Sequence, residues 1–183
     1  MSVLAVDPGA PGGAVLLDDR GRLMLAVAWK KNRRGWKVSA YRGGEVEVEQ
    51  LPAGASSLGG YLAEIIEAPP RLLACEDVFV HRQRPNVRTT VNLARFGGAV
   101  LAPLELLSDT RAAFVQASVW RRSVLGLSPY TKRALCKAAS LRFIPPLIPG
   151  MGAALQGLGQ LDHLCDAGGI ALWARSQSAS SAA

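Results

Sequence analysis

The chain has 183 residues, a length that suits one domain with a hydrophobic core of its own. Its three cysteines, Cys75, Cys136 and Cys165, have no CxxC spacing, which argues against a disulfide framework or a zinc ribbon and for a reducing compartment. Lys and Arg number 21 against 14 Asp and Glu, a formal charge of +7, and that excess favours a polyanionic partner, most simply nucleic acid.

Residues 2–7, 13–18 and 22–30 read as three successive strands, the last two joined through the hairpin turn Asp18-Asp19-Arg20-Gly21. The first ends in Asp7, followed at once by Pro8-Gly9-Ala10-Pro11-Gly12-Gly13. Residues 32–50 are less regular, although the alternation Glu45-Val46-Glu47-Val48-Glu49 suggests a half-exposed edge strand or hairpin extension. A helix is predicted over residues 56–68, capped by Ser56 or Ser57 and stopped by Pro69-Pro70. The apolar run Arg71-Leu72-Leu73-Ala74-Cys75-Glu76 is a second buried strand ending in an acid. Residues 89–101 then form a helix, 112–116 a strand and 118–125 a helix. Ser128-Pro129 opens a further helix through Arg142, with Pro145-Pro146 closing the segment. The uncharged stretch from Leu147 to Gly159 is expected as a loop, residues 160–175 as the last helix, and 176–183 as a disordered tail. Residues 1–175 therefore make one α/β domain: an antiparallel meander, then parallel strands, in a mixed sheet flanked by helices. That is the plan of the ribonuclease H-like fold. No run reaches the ~18 apolar residues of a membrane span, and no basic segment precedes an apolar one at the amino terminus. A cytoplasmic location, in a bacterial cell or a phage-infected host, is expected.

An acid at the end of a buried strand is poorly solvated unless a cation compensates it. Asp7 and Glu76 are both placed this way, and the last helix offers more polar groups on an otherwise apolar, small-residue segment. His163 and Asp166, three apart, share one helix face; Asp162 and Asp166, four apart, do so equally well, and helix geometry does not choose between them. Asp7, Glu76 and Asp166 with His163 or Asp162 form an oxygen-rich set suited to Mg²⁺ or Mn²⁺. Two ions about 4 Å apart would relieve the repulsion among the carboxylates and clamp the attacking and leaving oxygens of a phosphodiester. Most of the positive charge falls in four groups: Lys30, Lys31, Arg33, Arg34 and Lys37; Arg82, Arg84 and Arg88; Arg121 and Arg122; Lys132, Arg133, Lys137 and Arg142.

Three segments, Ala5-Val6-Asp7-Pro8-Gly9, Ala74-Cys75-Glu76-Asp77-Val78-Phe79 and His163-Leu164-Cys165-Asp166-Ala167-Gly168-Gly169, resemble in order the acidic motifs of the RuvC-type Holliday junction resolvases. Gln116 to Arg122 and Thr131-Lys132-Arg133 resemble the linking segments of bacteriophage-type RuvC-like proteins. The resemblance implies metal ligation by Asp7, Glu76, Asp166 and His163, with histidine in place of the more usual aspartate, a variant known in the family; Asp162 remains the alternative. It implies that Lys132 is the lysine near the scissile phosphate, where a cation stabilises developing negative charge. It also implies that Phe79 is an aromatic wedge at the branch point. The basic stretch from His81 to Arg88, with Arg82, Arg84 and Arg88, would track phosphates, as would Lys132 and Arg133.

The expected function is thus a metal-dependent, structure-selective endodeoxyribonuclease that resolves four-way DNA junctions by paired symmetric nicks, in recombination and repair. Two coordinated cuts on a two-fold junction call for a homodimer, with the helix carrying Gly97-Gly98 as its expected contact, and branch-migration or replication proteins as further partners. The rivals are a related nuclease acting on forks, branched DNA or RNA–DNA hybrids, a nucleotide-binding protein of the actin and sugar-kinase class suggested by the Pro8 to Gly13 turn, and a catalytically silent junction binder.

Overall fold

The structure, a computed structural model, describes residues 1–77, 87–110, 112–159 and 161–181. Five antiparallel strands open the chain: β1 (Val3–Asp7), β2 (Gly12–Leu17), β3 (Leu23–Asn32), β4 (Gly35–Arg42) and β5 (Glu45–Leu51). Helix α1 (Ala55–Ile65) leads to β6 (Leu72–Glu76), which pairs in parallel with β1. Helix α2 (Val87–Ser108) leads to β7 (Ala113–Val115), parallel to β6. The seven strands lie in the order β5-β4-β3-β2-β1-β6-β7. Helices α3 (Ala117–Leu125), α4 (Arg133–Leu147), α5 (Met151–Leu158) and α6 (Leu161–Ser181) complete the chain. This is the expected mixed α/β sheet with helices on both faces.

Strand alternation builds two cores. Val3, Ala5, Val15, Leu17, Ala26 and Ala28 point to one face and pack with Leu164, Ala167, Ile170 and Ala171 of α6 and with residues of α3, α4 and α5. Leu4, Val6, Ala14, Leu16, Val27 and Trp29 point to the other and pack with Leu58 and Leu62 of α1 and Val100 and Leu104 of α2. The interior of β1 is buried on both faces, as suits a strand at the antiparallel-to-parallel switch. Each large aliphatic side chain so buried contributes about 1.5–3 kcal/mol. Helix α6 lies against the middle of the sheet because its contact residues are small: a Cβ on Gly13 of β2 would stand 3.2 Å from Leu164 and 3.3 Å from the His163 carbonyl. The three cysteines are free and buried, as expected of small apolar core residues.

Several boundaries differ from the sequence expectation. The segment after Asn32 is a regular two-strand extension, because β4 lends Trp36, Val38 and Ala40 to the α1 core while β5 closes the sheet as a largely exposed edge. Ser128 to Thr131 form a turn, with Thr131 N–H donating to the Ser128 carbonyl at 3.0 Å, so α4 starts later, at Arg133, and runs on through Pro145-Pro146. The expected loop after Leu147 contains α5, framed by Gly150 and Gly159 at positive φ. Met151, Ala154 and Leu158 form its buried stripe, a spacing that tertiary contact with the sheet makes helical. Helix α6 continues through Ser181, so most of the expected disordered tail extends it. On α2, a Cβ at Gly97 would lie 3.5 Å from Pro8 of the same chain, whereas Gly98 faces open space; one of the two glycines thus serves an internal contact. Among the described residues no helix is long and apolar enough to cross a membrane.

Candidate active site

Parallel pairing of β1 with β6 aligns Val6 with Cys75, so the next residues, Asp7 and Glu76, emerge side by side at the C-terminal ends of adjacent strands. The odd-numbered residues of β1 and the even-numbered residues of β6 share the face covered by α6, and both acids belong to those series. Helix α6 brings His163 and Asp166 over them. His163 Nδ1 lies 2.9 Å from Asp7 Oδ2. The geometry thereby separates the two neighbours that helical spacing leaves equivalent: His163 meets Asp7, while Asp162 turns to α4 and pairs with Lys137, its other oxygen 3.8 Å from His163 Nε2.

Two residues of α3 complete the cluster. Trp120 is fully buried against α6, where a Cβ on Gly169 would fall 2.3 Å from its ring, and its indole N–H donates to Glu76 Oε2 at 3.1 Å. Arg121, with its guanidinium 5.0 Å from the centre of that ring, donates to Asp166 Oδ2 at 3.0 Å and stands 4.0 Å from Glu76 Oε2. The hydroxyl of fully buried Ser140 also acts on the Asp166 carboxyl, whereas Nε of Arg121 is buried without a hydrogen-bond partner among the described residues, an arrangement that costs free energy unless something else satisfies it.

Electrostatics follow from this packing. Burial, reinforced by the charge of Asp7, pushes the Glu76 carboxyl up to about 7, although the Trp120 hydrogen bond and Arg121 oppose the rise. Asp166 is raised for the same first reason, burial, with Arg121 opposing and Asp7 adding to it. His163 is raised by its hydrogen bond to Asp7, against burial. For Asp162 burial acts upward, yet the hydrogen bond from Lys137 and the proximity of His163 hold it below the ordinary carboxylate value. If all ionised, the three carboxylates of Asp7, Glu76 and Asp166 would outnumber the adjoining Arg121 and His163, and the raised values of Glu76 and Asp166 register that crowding. A divalent cation would relieve that crowding, and the donor set of carboxylates and one imidazole suits Mg²⁺ or Mn²⁺. The side chains are not drawn together as a finished metal cage: among the described residues no three His, Cys, Asp or Glu form such a group. Arg121 bridges Glu76 and Asp166 instead.

The cluster opens into a cleft of about 810 Å³, lined by Asp7, the Pro8 to Pro11 turn, Glu76, Asp166 and His163 together with Arg121, Thr131, Arg133 and Lys137. Lys132 is exposed at the N-terminal boundary of α4; the wall there is made by its neighbours Thr131 and Arg133 and, a turn further along, by Lys137. Phe79, His81, Arg82 and Arg84 lie outside the described residues, as does the side chain of Arg88. Sequence reasoning placed Trp120 and Arg121 in the linking segment Gln116 to Arg122, and Arg121 and Lys137 in basic groups, but gave none of the three a role at the site. The available signal was a Trp-Arg pair in the first turns of a short helix directly after a strand whose neighbour ends in Glu76.

No family model matches the sequence, and no curated protein sequence matches it. Among solved structures the chain is similar to RuvC of Thermus thermophilus, at 18% identity and TM-score 0.52 over 97% of each chain. It is also similar to T. thermophilus RuvC in complex with Holliday junction substrate, at 17% identity and TM-score 0.54 over 98% of this chain and 96% of that one. A fowlpox virus resolvase in complex with Holliday junction DNA aligns at 11% identity with a TM-score of 0.42, too distant to add weight. At this identity the likeness establishes the fold, that of the RuvC-type resolvases within the ribonuclease H-like class.

Proposed function

We propose that this protein is a metal-dependent endodeoxyribonuclease that cuts branched DNA, with the four-way junction as its substrate and a homodimer as its working form. The observation that carries this reading is the meeting of Asp7, Glu76 and Asp166 with His163, from three elements distant in sequence, at the mouth of one cleft in a chain of net charge +7. Its fold neighbour in complex with a Holliday junction supports the substrate class.

Asp7, Glu76, Asp166 and His163 are the residues that would hold Mg²⁺ or Mn²⁺, which when bound supplies Lewis acidity at the scissile phosphate. The other steps belong to this chain's own groups. Glu76, with a value near 7, keeps its proton in part of the population until positive charge arrives. His163 must be neutral to serve as a ligand, so holding the metal would require it to give up the proton that favours its contact with Asp7. Arg121, beside the acids, and Lys137 both line the cleft, where they would neutralise an entering phosphate and hold it in line for attack by water. Asp162 keeps the Lys137 ammonium in place.

The test is a synthetic immobile four-way junction incubated with Mg²⁺. Wild type should produce paired nicks and Asp7→Asn none. Equal cutting of linear duplex and junction would defeat the claim of structure selectivity, and junction binding without any cutting by wild type would transfer the reading to a silent binder.

A further inference from the structure

The basic group nearest the amino terminus, Lys30 to Lys37, takes no part in the cleft, and its place in the sheet gives it a separate role. Strand β3 is antiparallel to β2, which is antiparallel to β1, so the C-terminal end of β3 and the hairpin into β4 stand at the same edge of the sheet as Asp7. The face also agrees. Ala26 and Ala28 pack on the α6 side with Val3 and Ala5, and the next residue of that series is Lys30. Lys37 stands directly opposite Lys30 in the β3–β4 register. Both lysines therefore rise from the face that carries Asp7 and Glu76, and both are exposed.

Two like charges directly opposite on a sheet repel, and nothing nearby relieves these. The β5 residue opposite Lys37 is Gln50, while Glu45, Glu47 and Glu49 alternate onto the other face. Among the described residues none of Lys30, Lys31, Arg33, Arg34 or Lys37 has an acid within ion-pair distance. Lys31 lies on the reverse side, 5.9 Å from the centre of the Trp36 ring. At the tip, exposed Arg33 and Arg34 form the two-residue connection between Asn32 and Gly35. That tip is braced: Arg34 N–H donates to Asn32 Oδ1 at 2.8 Å, and the Asn32 amide donates to Gln50 at 2.8 Å. Trp29, just before the lysines, ties the hairpin to the turn after Asp7 through a 2.9 Å hydrogen bond from its indole N–H to the Gly9 carbonyl. The result is a braced hairpin whose four cations have no acid partner among the described residues: Lys30 and Lys37 on the α6 face of the sheet, and Arg33 and Arg34 at the tip.

Cations spread along such a hairpin suit a ligand with regularly spaced negative charge. Ala28 pairs with Gly13, which pairs with Asp7, so the tip lies about five residues further along the strand and two strands across. At ~3.3 Å per residue and ~4.8 Å per strand, the tip is roughly 20 Å from Asp7 and Lys30 and Lys37 roughly 12 and 16 Å, spans of about four to six base pairs of duplex at ~3.4 Å each.

We infer that the β3–β4 hairpin, through Lys30, Lys37, Arg33 and Arg34, grips the phosphate backbone of the DNA arm that leaves the cleft, about four to six base pairs from the cutting position. This inference rests on the reading of the cleft as a site for DNA. It is tested without turnover, by binding of a long-armed four-way junction followed by fluorescence anisotropy across a salt series in Ca²⁺ or EDTA. Removing two phosphate contacts with Lys30→Ala plus Lys37→Ala should reduce the slope of log K against log salt by about 1.8 and weaken binding roughly tenfold or more at 0.1 M salt. A junction whose phosphates about three to six nucleotides from the cutting position are neutral methylphosphonates should bind wild type more weakly and the double variant no more weakly. Lys37→Glu separates this role from a structural one: giving Lys30 an opposite charge should raise the melting temperature while affinity for the junction falls. An unchanged salt slope in the double variant, or an equal loss of affinity by wild type and variant on the neutralised junction, overturns the inference. Failure of wild type to cut junctions would remove the nuclease reading alone, since the slope reports the hairpin independently of cleavage.

Discussion

Glu76→Gln should stabilise the metal-free protein at pH 8 and lose that advantage in acid. The Glu76 carboxyl has an ordinary value of 4.5 and is pushed up to about 7 in the folded chain, first by burial and then by the charge of Asp7. Below pH 4.5 both folded and unfolded chains carry the proton, and the site costs nothing. Between about 4.5 and 7 the unfolded chain ionises while the folded one resists, so stability falls as pH rises; above 7 the full penalty is present. A shift of that size corresponds to about 3 kcal/mol. Glutamine removes the charge and keeps an oxygen to accept from Trp120 Nε1, and it forfeits only the weak 4.0 Å approach of Arg121. The expected gain is therefore about 2–3 kcal/mol, or roughly 4–10 °C for a chain of this size. Thermal unfolding of wild type and Glu76→Gln, with EDTA, at pH 5 and pH 8 measures it, and a Mg²⁺ titration at pH 8 should then raise wild type more than the variant. A variant less stable than wild type at pH 8, or a difference that is the same at both pH values, would refute the electrostatic account of the cluster.

Two further outcomes bear on how the site is held and who its ligands are. Gly169→Ala places a Cβ 2.3 Å from the Trp120 ring, which should cost about 1–3 kcal/mol by overpacking; denaturant unfolding reads the cost, and Trp fluorescence should report the displaced indole. His163→Ala removes the partner of Asp7, whereas Asp162→Ala removes the anchor of Lys137 and a weaker 3.8 Å approach to His163. Cutting should collapse in the first and fall only modestly in the second, while His163→Asp preserves it; the reverse ranking in a junction-cleavage assay would move the metal-binding role to Asp162.

Much of this protein is legible in its sequence because the informative signals are local. Apolar runs that end abruptly in Asp7 and Glu76 mark two buried strands and their mouths, and the small residues of the last helix mark a close approach to the sheet. The order of these segments carries the ribonuclease H-like plan. What failed to appear locally depended on contacts between distant segments. Helix α5 has no charge pattern and no side-chain cap, and only burial of Met151, Ala154 and Leu158 beneath the sheet extension defines it. The choice of His163 over Asp162 for Asp7 is likewise invisible in a helical repeat, since spacing of three or four residues puts either beside Asp166.

Sequence alone determined which acids are available, that they sit at strand ends and on one helix face, and that the chain is basic. Tertiary structure decided the rest: which acids meet, that Trp120 and Arg121 from α3 close the cluster, that Lys137 rather than Lys132 lines the cleft, and that the Lys30 to Lys37 hairpin shares the edge and face of Asp7. The physical reason is that pairing register and helix placement are set by burial shared among segments as far apart as Asp7 and His163. Electrostatic meaning depends on the resulting distances, which are a property of the packed sheet rather than of any stretch of chain.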